Sequence, residues 1–124
     1  MITLVDTSIW IDHFRHGDLR LAKLLDRAEV VTHPFVIGEL LLGRALGNDE
    51  LIGDLNTLPK AVVASVDEVH TFISGRKLPG SGIGYVDAHL LAAAALTAET
   101  LIWTRDKRLL TVARSLSLAA EMGE

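Results

Sequence analysis

The sequence predicts an α/β domain in which a short parallel central sheet carries helices on both faces. Brief, continuous apolar runs at residues 2–5, 30–32, 61–64 and 101–103 have the pattern of strands buried on both faces. Segments with apolar residues at helical spacing separate them, which is the alternation that builds parallel sheets. With 124 residues, 49% of them hydrophobic, the chain can bury one core of its own and is too short for two.

Taken in order, ITLV at residues 2–5 is a strand that ends in an Asp-Thr-Ser turn, and Ser8 is suited to cap a short helix over residues 9–14. His16-Gly17-Asp18 interrupts that helix and restarts another, with Leu19, Ala22, Leu25 and Ala28 at helical spacing. Residues 30–32 form the second strand, and Pro34 suits the first turn of a helix over residues 35–46 that Gly47 stops. Asn48 or Asp49 begins a short helix to about Leu55, and residues 61–64 form a third strand after Pro59. Ser65 and Glu68, three apart, predict a capping box on a helix that reaches toward Leu78. PGSGIG, residues 79–84, is the one conspicuous flexible loop. A helix over residues 85–98 follows, and its Ala92 to Ala95 run lets it lie close against its neighbours. Residues 101–103 make the fourth strand, 107–115 a helix and 116–119 a last edge strand. There is no internal repeat, linker or low-complexity tract, so residues 1–124 read as one domain.

Cysteine is absent, which removes disulfides, thiolate metal sites and cysteine nucleophiles and accords with a reducing cytoplasm. The first residues have no signal-peptide pattern, and the run from Leu90 to Leu96 is far below the roughly 20 residues of a membrane helix. A soluble, cytoplasmic protein with no membrane partner is expected. The net charge of -4 argues against holding nucleic acid by general electrostatics. Basic residues do gather locally, at Arg15, Arg44, Arg76, Lys77, Arg105, Lys107 and Arg108, so nucleic acid gripped locally stays open.

The chemistry-bearing residues are four acids, each where an apolar strand or helix meets a turn: Asp6 in ITLVDTS, Glu39 in VIGELLLG, Asp87 in GYVDAHLLAAAA and Asp106 in LIWTRDKRL. Singly, each has a structural explanation. Asp6 and Asp106 can cap the helices that follow, Asp87 can favour a helix N-terminus, and Glu39 can lie on a helix surface. Glu39, however, stands between Phe35, Val36, Ile37 and Leu40, Leu41, Leu42, with no polar face beside it. Acids set in such surroundings must lose their charge or share a cation. Carboxylates gathered in one cleft repel, so at least one should have a raised pKa, and hard ions such as Mg²⁺ or Mn²⁺ relieve the repulsion. One or two such ions, a pair lying about 3.5 to 4 Å apart, activate water and stabilise the leaving oxygen of a phosphodiester. In a parallel sheet, ligand sites lie outside the carboxyl ends of the strands, where Asp6 and Asp106 are expected.

The order DTS, GEL, YVDAHLLAAAA and TRDKRL over essentially the whole chain resembles the PIN-domain nucleases, and the small size resembles their VapC-type toxin members. The resemblance implies a three-layer PIN-like fold and Mg²⁺- or Mn²⁺-dependent endoribonuclease activity, with Asp6, Glu39, Asp87 and Asp106 as metal ligands. It assigns Thr7, Ser8 and Thr104 as hydroxyls that support the carboxylates or a catalytic water. It further implies RNA as substrate, a cognate VapB-like antitoxin as partner and a homodimer. Arg105 and Leu109 stand where many relatives carry a further acid, so one metal and two metals are both open. A housekeeping RNA-processing nuclease and a catalytically silent binding module with the same fold are the alternative functions.

Other chemistries find little support. PGSGIG lacks the Lys-Ser/Thr ending of a P-loop and the spacing of a dinucleotide fingerprint. His13 and His16 have neither an HExxH motif nor a cysteine partner for zinc, and are expected to meet solvent or substrate. No G-x-S-x-G surrounds a serine. Trp10 and Phe14 share one side of the first helix and are expected in the core or facing a partner.

Overall fold

The computed structural model describes residues 1–43 and 49–123. Three strands, β1 (Ile2–Val5), β2 (Val30–Val31) and β3 (Thr100–Trp103), form a parallel sheet in the order β2-β1-β3. Thr3 pairs with Val30 on one side of β1, and Thr3 with Leu101 on the other. Thr3, Leu4 and Val5 of the central strand are buried, which is why that strand is apolar rather than alternating. The helices between the strands complete a three-layer α/β fold: α1 (Thr7–His16), α2 (Leu19–Asp26), α3 (Pro34–Leu42), α4 (Asp49–Asn56), α5 (Val66–Gly75), α6 (Tyr85–Leu96) and α7 (Lys107–Ser115).

Helix α6 is buried continuously from Ala88 to Ala94. A helix apolar all round belongs between layers, and α6 packs on β3 and on α5. Ala92, Ala93 and Ala94 keep that approach close, whereas Ala95 is exposed. The Ser65–Glu68 capping box is present in full at the start of α5.

Several expectations need correction. The cap of α1 is Asp6 rather than Ser8, because the Asp6 amide still pairs with the Trp103 carbonyl at 2.9 Å and the chain turns helical directly after it. Helix α3 ends at Gly43, whose amide bonds back to Glu39 and Leu40. Its expected continuation to Leu46 and stop at Gly47, the Asn48 start and Arg44 lie outside the described residues.

The expected strand at 61–64 makes only a neighbouring bridge, between Lys60 and Thr32, and the Val62 amide donates to the Thr97 hydroxyl instead of to a strand. The expected edge strand at 116–119 likewise reduces to one bridge, between Ala119 and Ile102. Each segment thus meets the sheet at a single bridge, Lys60 just before the first and Ala119 at the end of the second. Helix α6 ends at Leu96 rather than 98, with Thr97 capping it and its hydroxyl returning to Ala93 O at 2.7 Å.

Candidate active site

Asp6 leaves the end of β1 and Asp106 follows β3 after two residues, so the parallel order of adjacent strands delivers both to the same edge of the sheet. Asp6 is buried. Its Oδ1 accepts the Thr7 amide at 2.8 Å, while Oδ2 accepts the Thr104 hydroxyl at 2.7 Å and the Ser8 hydroxyl at 3.3 Å. Thr104 Oγ1 also accepts the Asp106 amide, and Ser8 Oγ accepts the Arg105 amide. Thr104 and Ser8 thereby tie the turn after β3 to the turn after β1. Asp106 caps α7 through Oδ1, which accepts the Leu109 amide at 3.0 Å.

Glu39 comes from α3 and is exposed, contrary to the expectation of an apolar surround. Its polar neighbour comes from another helix: the Thr7 hydroxyl donates to Glu39 Oε1 at 2.6 Å. Asp87 lies in the first turn of α6, where its Oδ2 accepts the Gly84 amide at 3.4 Å. Burial pushes the Asp87 carboxyl up to about 6, with Asp6 adding most among the neighbouring charges and Asp106 and Glu39 adding less. The four acids therefore share one electrostatic neighbourhood although they come from four segments.

Among the described residues, no hydrogen bond reaches Asp87 Oδ1, Glu39 Oε2 or Asp106 Oδ2. Among the described residues, no three His, Asp or Glu side chains stand close enough together to hold a metal ion. The donor set nevertheless suits a hard divalent ion, since it consists of carboxylate and hydroxyl oxygens with no thiolate.

The rim is organised by charge. Arg105 pairs with Asp12, and Arg20 holds Asp18 at 2.7 Å, which lowers the Asp18 carboxyl to about 2. His13, expected to meet solvent or substrate, instead accepts the Asp18 amide through Nδ1 at 3.0 Å and packs against Trp10 and Phe14. Trp10 is buried and stacks on Phe14.

An aromatic ladder on α6 lies outside the sequence expectations. Phe35 meets the buried His89 at 4.7 Å, His89 meets Tyr85 at 4.7 Å, and Tyr85 shares a 3.0 Å hydrogen bond with His70. Its sequence signal is the i, i+4 spacing of Tyr85 and His89. His33 begins α3 by accepting the Phe35 amide at Nδ1, a cap outside the usual Ser, Thr, Asp and Asn set. Fully buried, it has its pKa pushed down to about 4.

A parallel α/β domain with carboxylates at the C-terminal edge of its sheet places acids where such folds hold their ligands. Residues 3–115 match the PIN domain, and the chain belongs to the PIN-domain family. It is 46% identical over 106 residues, 86% of either chain, to Ribonuclease VapC32 of Mycobacterium tuberculosis, in strain CDC 1551 / Oshkosh and equally in strain H37Rv.

Proposed function

We propose that the chain is an endoribonuclease that hydrolyses RNA phosphodiester bonds and acts as the toxin of a type II toxin-antitoxin pair. What supports the chemistry is that Asp6, Asp106 and Glu39, from three other segments, add their charges to the burial that raises the Asp87 carboxyl. Family membership and the likeness to a ribonuclease support RNA as the substrate.

Asp6, Glu39, Asp87 and Asp106 would hold Mg²⁺ or Mn²⁺, which when bound supplies Lewis-acid polarisation of the phosphodiester and activation of water. Around it, the chain's own residues fix the donors. Thr104 and Ser8 orient Asp6 Oδ2, and Thr7 orients Glu39 Oε1, so each hydroxyl limits the rotation of the carboxylate it serves. The caps of α1 and α7 hold Asp6 and Asp106 through Oδ1.

A VapB-like antitoxin is the proposed partner. Trp10 is too buried to dock it directly, so the exposed apolar surface of α3, with Phe35, Leu41 at 61% exposure and Leu42 at 89%, is the better-supported face. Leu96, exposed in the groove between α5 and α6, and the exposed Val62, Val63 and Val66 at and before the start of α5 support a homodimer. No helix among the described residues is long and apolar enough to cross a membrane.

The test is cleavage of single-stranded or loop RNA by the purified protein in Mg²⁺ or Mn²⁺, with activity expected to vanish in EDTA. Cleavage that persists in EDTA removes the metal-nuclease reading. Co-expression of an adjacent small reading frame should restore growth to cells making the chain. Cleavage without such rescue, and without a complex on co-purification, favours a housekeeping nuclease.

A further inference from the structure

A set of acids must still admit a polyanion, and the basic side chains of the segments that carry them and of their neighbours are unequal. Arg105 is committed to Asp12 and Asp18, and Arg20 to Asp18 and to the carbonyls of Met122 and Gly123. Arg108 is different. It is exposed, lies two residues beyond Asp106 in the first turn of α7, and makes no ion pair among the described residues.

Its stem is nonetheless placed by the loop that leads into α6. A Cβ built on Gly82 would stand 3.3 Å from Arg108 Cδ and 3.6 and 3.7 Å from Nε and Nη1. Gly82 has φ +87°, so glycine suits this position both for its backbone and for the room it leaves Arg108. Two residues on, the Gly84 amide holds Asp87. The guanidinium thus spans the two backbone segments that deliver Asp87 and Asp106, with its donors not taken by a carboxylate.

We propose that Arg108 is a substrate-binding residue that grips a backbone phosphate of the RNA next to the one being cleaved. This rests on the ribonuclease reading. A guanidinium offers a planar fork of N–H donors matched to phosphate oxygens. Laid along the loop backbone, it reaches the substrate with less freedom to lose than a lysine, which is why Arg108 rather than the adjacent Lys107 is assigned. A phosphate contact positions the strand and carries no base information, so its loss should weaken every sequence alike.

The experiment compares wild type, Arg108→Ala, Arg108→Lys and the control Arg27→Ala, which removes an equal charge from the exposed end of α2. Binding of a fluorescein-labelled single-stranded RNA is measured by anisotropy in EDTA between 50 and 200 mM KCl (roughly the range over which phosphate contacts show). Cleavage is followed in Mg²⁺, and melting curves are taken with and without Mg²⁺. Arg108→Ala should raise KM about tenfold with kcat nearly unchanged, and lower the slope of log affinity against log salt by about 0.7, the value for one phosphate on a single strand. Arg108→Lys should keep most of that slope, Arg27→Ala all of it, and the Mg²⁺-induced rise in Tm should be the same in all four proteins. If Arg108→Ala binds with the wild-type slope and KM, or loses Tm while keeping both, Arg108 is only a brace for the loop and the proposal is wrong. If wild type neither binds nor cleaves RNA, the ribonuclease reading itself falls, and this proposal with it.

Discussion

Two kinds of helix start coexist in this molecule, and their difference separates a cap from a site. At α5, Ser65 and Glu68 satisfy each other: the Ser65 hydroxyl accepts the Glu68 amide at 3.1 Å, and a Glu68 carboxylate oxygen accepts the Ser65 amide at 2.8 Å. That pair is exposed, and its hydrogen bonds lower the Glu68 pKa. At α1, α6 and α7 an acid also serves a helix start, yet Asp87 at α6 is pushed up rather than down, first by burial and then by the charges of Asp6, Asp106 and Glu39. Capping and ligation are therefore compatible readings of a single Asp, because the cap uses one oxygen. Convergence makes the distinction, and convergence belongs to the fold rather than to the local sequence.

The largest test of that contrast is catalytic. Asp6→Asn or Asp87→Asn keeps a side-chain oxygen for the cap but removes the charge, and each should reduce kcat/KM for RNA by at least about 100-fold, the upper figure for losing a group one shell further from a metal. Glu68→Gln, at the closed capping box, and Asp26→Asn, at the exposed end of α2, should leave kcat/KM at wild type. Steady-state cleavage of one RNA by all four variants decides it: comparable rates throughout would make Asp6 and Asp87 caps and nothing more.

The same contrast explains what could be read from the sequence. The Ser65–Glu68 box and the Gly17 break depend on neighbours within a few residues and lie where the sequence puts them; β1 and β3 do so too because their apolar runs pair along their whole length. The runs at 61–64 and 116–119 have strand composition, but whether they pair depends on partners far along the chain: Val62 finds Thr97, and Ala119 finds one residue of β3. Asp-Thr-Ser offers three capping residues in a row, and the long-range bond from Asp6 N to Trp103 O selects the first. In the site, the four acids and the supporting role of Thr7, Ser8 and Thr104 were legible through the resemblance, while which carboxylate each hydroxyl serves was not, since the Thr7–Glu39 and Thr104–Asp6 links span 32 and 98 residues. The histidine cap of α3 carries no sequence signal of its own, because imidazole acceptors lie outside the usual capping set.

Asp106 sharpens the comparison further, because it caps α7 fully through Oδ1 and still contributes charge to Asp87. Asp106→Asn retains the cap and removes that charge. In EDTA it should melt at or above the wild-type temperature, by about 1 to 3 °C, a few tenths of a kcal/mol for a chain of this size. Graded Mg²⁺ should then raise its Tm by less than it raises the wild type's, since binding to the folded state stabilises by mass action and a ligand has been weakened. A variant that melts lower in EDTA and gains the full Mg²⁺ shift would show Asp106 to be a cap alone.

The smallest expected effect isolates Asp87 in the metal-free protein. Its folded pKa of about 6 lies above the ordinary 3.8, so between those values the folded state holds a proton that the unfolded chain has released. Stability from this group therefore falls as pH rises from about 4 to about 6, and the full loss persists above 6. With solvent still reaching the half-buried carboxylate, the change should be about 1 kcal/mol. Other groups slope differently. Asp18, lowered to about 2, adds stability that is lost only as pH falls from about 4 toward 2, outside this window. His33, held neutral by burial down to about 4, makes the protein more stable as pH rises from 4 to about 6.5, opposing Asp87 within it. The wild-type curve alone is thus a difference of opposing slopes, and the comparison with Asp87→Asn is what separates them. Urea unfolding in EDTA at pH 4.5 and pH 7 should show Asp87→Asn gaining on wild type by about 1 kcal/mol between the two values. Parallel curves would mean that Asp87 is ionised in the folded state throughout, and that neither burial nor the neighbouring acids hold its proton.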